Sequence, residues 1–404
     1  VAGRWVVLAI LTTSYGAGAL GMLGISPLSP SLVTGFGLSR LHVALIVPAV
    51  YLGGLLFSLP GGYLADRIGV RRSFLGGLAV GAAGLAVSAA APGFAAFLAC
   101  LFVAGIGWSV VNPALGRAIL DLFPPRERGI AMGIKQMGLT LGGFAGALVL
   151  PLVATTWGWR AAMATCAAVV ALPVLGTWRA LAGLDSAPDE ANDLAPTAVA
   201  DRAARWSWLR RPALLVFFGT GLMLGMVQAA VLSYLPLYAV QSLGFDPVAA
   251  GILVACSQAG GAASRLALGA ASDRWLVRSR SVWLALTGAV GAIVFASYAV
   301  WNVTSPGLAA LLAFASGVGA YGWVGIFFVV SAEVGGRGAA GLMSGVAYGA
   351  IVAGLLVGPA GFGVLLVRAD SYSLPWAVFG GLAALISLAT LLTGHAIDRE
   401  RSTS

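Results

Sequence analysis

Charge is scarce in this chain, and the little there is lies unevenly. Only 9% of the 404 residues are Asp, Glu, Lys or Arg, against 59% hydrophobic residues. Soluble domains carry about 25% charged residues, so a water-soluble globular protein is excluded. Lysine is nearly missing: Lys135 stands alone among arginines. The three cysteines, Cys100, Cys166 and Cys256, all sit in apolar runs, which leaves neither a disulfide framework nor a metal-ligand spacing. There is no phosphate-binding loop of the G-x-x-x-x-G-K-[ST] type and no catalytic constellation, so the chain is expected to be no enzyme, with no cofactor and no metal. The opening residues, VAGRWVVLAILTT, run straight into an apolar stretch longer than a signal-peptide core and carry no cleavage pattern.

What is present in quantity is long apolar runs, with mean hydropathy +0.95. At roughly 20 residues per span, they predict twelve transmembrane helices. These are placed near 5–33, 41–63, 73–91, 94–122, 129–155, 160–180, 212–241, 247–271, 281–301, 307–332, 338–367 and 373–393. The one long polar stretch, 182–211, holds Asp185, Asp189, Glu190, Asp193 and Asp201. It divides the chain into an N-terminal six-helix bundle (1–181), a cytoplasmic linker (182–211) and a C-terminal six-helix bundle (212–404).

The net charge of +9 would suggest nucleic acid in a soluble protein. Here arginines holding loops on the cytoplasmic side explain it. With the N-terminus inside, only Arg40, Arg160 and Arg368 of the loop and helix-end arginines fall outside. Both termini are therefore expected in the cytoplasm. Tryptophans near the ends of the runs, such as Trp5, Trp157, Trp159 and Trp301, suit interfacial anchors.

The two halves echo each other. Gly54–Arg67 (GLLFSLPGGYLADR) and Gly261–Arg274 (GAASRLALGAASDR) share a skeleton in which Gly54 matches Gly261, Gly62 matches Gly269, and Asp66–Arg67 matches Asp273–Arg274. Arg265 faces only Ser58. A second echo sets RGIAMGIKQMG, from Arg128, beside RGAAGLMSGVA, from Arg337, and there Lys135 faces Ser344. An internal repeat in an all-helical membrane chain points to a transporter with its site between the halves. Gly138, Gly142 and Gly146, and Gly349, Gly354 and Gly358, form small-residue rows that let helices approach closely in lipid.

Gly62-Tyr-Leu-Ala-Asp66-Arg67-Ile-Gly69-Val-Arg71-Arg72 resembles the loop signature of the major facilitator superfamily, and Gly269-Ala-Ala-Ser-Asp273-Arg274 resembles its second copy. The resemblance covers the whole chain. It implies an all-α integral membrane fold of twelve helices in two pseudo-symmetric six-helix bundles, working by alternating access. It also implies that Asp66, Arg67, Arg71, Asp273 and Arg274 serve gating. In proton-coupled drug exporters of that family an arginine precedes a Gly-x-Gly in the fourth helix. Here Gly105-Ile-Gly107 is preceded by Leu101, and Ala147 replaces the proline of the exporters' Gly-Pro pair.

No carboxylate falls in mid-membrane, but two cations do. Arg265 lies eight residues before Asp273, about 12 Å into the bilayer at the helical rise. Lys135 lies seven residues after Arg128, about 10 Å in from the same side. An intramembrane charge costs about 2.5–3.5 kcal/mol or more, and such residues line a path or find a partner. An anionic substrate is the simplest partner; snorkelling of the long side chains to the interface is the alternative. Arg265 shares a helical stripe with Gln258, Ala262 and Gly269, the spacing of a cavity wall.

The Arg265-x-x-x-Gly269-x-x-Ser272-Asp273 stretch is similar to that of carboxylate and nitrate transporters of the superfamily, in which this arginine binds the anion. The oxalate-type exchangers pair it with a lysine in the eleventh helix. That position is Ser344 here, so Lys135 takes the role. Polar groups in apolar runs complete the expected substrate site: Tyr15, Asn112, Gln136, Gln228, Gln258 and Tyr321. Trp108 and Trp323 are candidate aromatic walls.

The sequence thus predicts a bacterial inner-membrane transporter of a mono- or dicarboxylate, monomeric, with the lipid bilayer and a small anion as its partners and no nucleic acid. It works by anion exchange or by proton symport. The competing readings are an exporter of drugs or metabolites by proton antiport, and a non-transporting sensor on the same fold.

Overall fold

A computed structural model describes residues 3–124, 127–181, 211–274 and 280–403. The expected linker, 182–211, falls almost wholly outside the described residues. Among them every element is helical. They form α1 (Arg4–Leu23), α2 (Ser29–Phe36), α3 (Ile46–Ile68), α4 (Val70–Ala89), α5 (Phe94–Leu122), α6 (Arg128–Trp157) and α7 (Trp159–Gly176). Then come α8 (Pro212–Gln241), α9 (Pro247–Arg274), α10 (Arg280–Val300), α11 (Pro306–Tyr321), α12 (Val324–Ala369) and α13 (Ser373–Thr403). Among the described residues, eleven stretches are long and apolar enough to cross a membrane, and a shorter apolar helical stretch covers His42–Phe57. The chain divides into two compact units, Val1–Leu194 with Asp246–Ala255, and Ala195–Phe245 with Cys256–Ser404.

Two expected boundaries move. The first span is two helices, because Pro27 and Pro30 in the GISPLSPS stretch remove backbone donors. A single 3-10 turn, Ser26–Leu28, joins α1 to α2 within one candidate span, Arg4–Phe36. In the second half, the loop expected near 333–337 is absent and α12 runs through it as one helix. Its EVGGR residues include no proline, and each helical glycine costs only about 1 kcal/mol. The interruption falls earlier, at Gly322–Trp323, inside the apolar run Pro306–Ser331.

The duplication read from the motifs reappears in packing within each unit. In the first, α1 packs on α6, α3 and α4 on α5, and α4 on α7. In the second, α8 packs on α12, α9 and α10 on α11, and α10 on α13. Equivalent helices are in contact in each case.

Glycines set the closest of these approaches. A Cβ on Gly142 would lie 2.0 Å from the Gly16 carbonyl oxygen, and one on Gly354 would lie 2.0 Å from that of Leu222. Side-chain atoms cannot occupy such space, so these rows are backbone-to-backbone seams. Gly358 joins its row, against Met226, whereas Gly349 faces open space and is no part of it. Gly69, with φ 87°, makes the one-residue turn between α3 and α4, a conformation in which a Cβ would be strained.

Candidate functional site

In the first unit, three helices converge on Lys135. α6 carries the lysine, α5 carries Trp108 and Asn112, and α1 carries Tyr15. Lys135 is 7% exposed. Its ammonium donates to Asn112 Oδ1 and lies 5.4 Å from the centroid of the Tyr15 ring. Trp108 extends this aromatic wall, stacking on Tyr15 at 5.0 Å with 5° between planes. An ammonium has three donors. A neutral amide oxygen and a π face stabilise it but bring no opposite charge. Among the described residues no carboxylate forms an ion pair with Lys135; ion pairs elsewhere in this unit include Arg4–Glu127 at 2.9 Å and Arg117–Asp121 at 3.7 Å.

The second unit presents Arg265 from α9. The guanidinium Nε donates to the Tyr321 backbone carbonyl at 2.9 Å, at the point where α11 ends. One residue earlier in the helical ladder, the Ala320 carbonyl accepts from Trp323 Nε1 at 2.7 Å. Tyr321 and Trp323 are both buried. Gln258 lies two turns before Arg265 on α9 and is buried, at 9% exposure. On α8, the Oε1 of Gln228 is buried with no hydrogen-bond partner among the described residues, a polar atom in want of a donor.

The structure therefore joins Lys135, Asn112 and Tyr15 into one cluster and ties Arg265 to Tyr321 through that residue's backbone. Gln136 is exposed, on the neighbouring face of α6. Of the gating candidates, Arg71 stacks on Trp178 at 4.3 Å, which ties the start of α4 to the turn after α7. The side chains of Asp66, Arg67, Asp273 and Arg274 lie outside the described residues. The helix interruption beside Arg265 was not foreseen from the sequence. Its signal is faint: a Gly-Trp pair in an apolar run that reads as continuous helix.

A family model, that of the Major Facilitator Superfamily, matches residues 8–359. The chain belongs to that superfamily of membrane transporters. Over 96% of this chain and 93% of the relative, it is 26% identical to the probable sulfoacetate transporter SauU of Cupriavidus necator. It is 22% identical to the hexuronate transporter of Bacillus subtilis, over 95% of this chain and 94% of the relative. An uncharacterised superfamily transporter of Mycobacterium tuberculosis is 28% identical over 75% of this chain and 66% of its own length, just under two thirds. A shorter match, 28% identical over 59% and 58%, is to the 3-(3-hydroxy-phenyl)propionate transporter of Escherichia coli. Among solved structures, a bacterial homologue of the human lysosomal transporter Spinster aligns with a TM-score of 0.78 at 16% identity, over 99% and 97% of the chains. That likeness is one of fold alone.

Proposed function

We propose that this superfamily member carries a small organic anion, bearing a carboxylate or sulfonate, across a bacterial inner membrane by alternating access. The observation that carries the proposal is Lys135, a buried ammonium held by an amide oxygen and an aromatic face, with no opposing charge paired to it among the described residues. In a low-dielectric setting such a cation is costly, and a bound anion removes the cost. Arg265 in the other half supplies a second cation, one whose planar guanidinium suits a bidentate grip on a carboxylate. Three relatives named for sulfoacetate, hexuronate and hydroxyphenylpropionate point the same way, since each of these molecules is an organic anion. The carboxylate transporters whose arginine motif the α9 stretch resembles define the narrower class.

Coupling is by anion exchange or by proton symport, with the proton carried on the substrate's own carboxyl or on Lys135. Both termini lie in the cytoplasm, the transporter acts as a monomer, and Asp66, Arg67, Arg71, Asp273 and Arg274 form its cytoplasmic gate. The test is counterflow in proteoliposomes with sulfoacetate, glucuronate and 3-(3-hydroxyphenyl)propionate. Saturable counterflow of at least one is expected, lost in Lys135→Ala and in Arg265→Ala. Variants that transport like the wild type would overturn the proposal.

A further inference from the structure

The interruption between α11 and α12 lies against Arg265 and is built from side chains. In an unbroken helix the carbonyl of residue 320 would accept from the amide of 324, and that of 321 from 325. Here Trp323 Nε1 serves Ala320 and Arg265 Nε serves Tyr321. A side chain inserted into the ladder kinks a helix. Two further features hold this arrangement. Trp323 is fully buried and stands edge-on to Phe327 at 5.7 Å, while Phe327 stacks on Phe217 at 4.5 Å, so an aromatic column fixes the indole. Gly322 meets Ser264, the residue before Arg265: a Cβ there would lie 2.5 Å from Ser264 Oγ and 2.9 Å from Ser264 Cβ, and 2.6 Å from the Val318 carbonyl oxygen of its own chain segment. Ser264 has little room to retreat, being buried and hydrogen-bonded to the Gly261 carbonyl at 3.0 Å.

We propose that Gly322 and Trp323 are positioning residues for Arg265, and that the helix interruption exists to aim its guanidinium. Anchoring Nε–H on the Tyr321 carbonyl fixes the plane of the group and with it the direction of both Nη nitrogens. Two parallel N–H bonds to one carboxylate require that plane to be set in advance. Gly322 permits the approach of α9, and Trp323 keeps the Ala320 end of the ladder open. The inference rests on the anion-transport reading, and it assigns the orientation of one cation of that reading to residues that need not touch the substrate.

Counterflow of the same three anions in proteoliposomes tests it. Gly322→Ala displaces Ser264, and Trp323→Phe removes the indole donor while keeping an aromatic ring. Each is expected to raise KM about tenfold or more, the size of one misdirected charge-assisted hydrogen bond, with Vmax largely kept. Adding Ser264→Gly to Gly322→Ala is expected to recover only part of the affinity, because it removes the two Ser264 atoms from the clash and leaves the Val318 carbonyl oxygen at 2.6 Å. The rise in KM with Vmax kept is what separates positioning from a merely structural glycine, whose loss would cut Vmax as well. Wild-type KM in both variants, while Arg265→Ala abolishes transport, overturns the positioning role and leaves anion transport standing. Loss of KM and Vmax alike without rescue also overturns it. Absence of counterflow in the wild type, or its persistence in Arg265→Ala, instead overturns the functional reading on which the inference rests.

Discussion

At the scale of the residue, Asn112 decides what Lys135 can do. Its Oδ1 accepts from the ammonium without neutralising it. Replacing it by aspartate keeps the shape and adds the missing negative charge. Asn112→Asp is therefore expected to change two quantities in opposite directions. Thermal stability in detergent rises, because a buried cation gains an ion partner and opposite charges nearby favour both ionised forms. Anion affinity falls by about tenfold or more, because the internal carboxylate competes with the substrate's, by an amount typical of a charged hydrogen bond. Thermal unfolding and counterflow KM read the two effects separately. Lys135, Asn112 and Tyr15 were each legible as polar or aromatic residues in apolar runs. Their convergence was not, since they come from three helices and residue numbers do not carry helix rotation.

At the scale of the element, the seams between α1 and α6 and between α8 and α12 depend on the absence of one atom. Gly142→Ala would drive a Cβ to 2.0 Å from the Gly16 carbonyl oxygen, and Gly354→Ala to the same distance from that of Leu222. Backbone cannot yield as a flexible side chain does. Each substitution is expected to destabilise its own half by about 1–3 kcal/mol, the usual cost of overpacking. Comparable falls in unfolding temperature for the two variants are the measurement to make. The spacing of Gly138, Gly142 and Gly146 revealed one seam from the sequence. It overstated the other, since Gly349 points into open space. The helix interruption at Gly322–Trp323 escaped sequence reading because hydropathy is blind to which donor a carbonyl accepts from.

At the scale of the whole molecule, the arginine distribution implies an orientation that labelling can check. In a chain whose native cysteines are replaced by alanine, Arg40→Cys is expected to react with a membrane-impermeant thiol reagent in intact cells. Arg72→Cys is expected to react only after permeabilisation. The reverse pattern would invert the topology and with it the cytoplasmic placement of the termini. The apolar runs made the twelve-segment plan readable in the sequence, the repeated Gly-x-x-x-Asp-Arg skeleton its duplication, and the arginines its expected orientation. Membrane helices satisfy their own backbone hydrogen bonds, so an apolar run of sufficient length has almost no alternative to becoming one.

The sequence by itself determined the all-helical membrane fold, the division into related halves and the presence of one cation within an apolar run of each. All three follow from local composition and from repetition, which survive without knowledge of neighbours. Only the tertiary structure decided that Lys135 is held by Asn112 and Tyr15, and that Arg265 leans on a carbonyl freed by a broken helix. Those facts depend on how helices are rotated about their axes and on which side chains enter another helix's hydrogen-bond ladder. Packing between distant segments sets both, and a reading of one segment at a time contains neither.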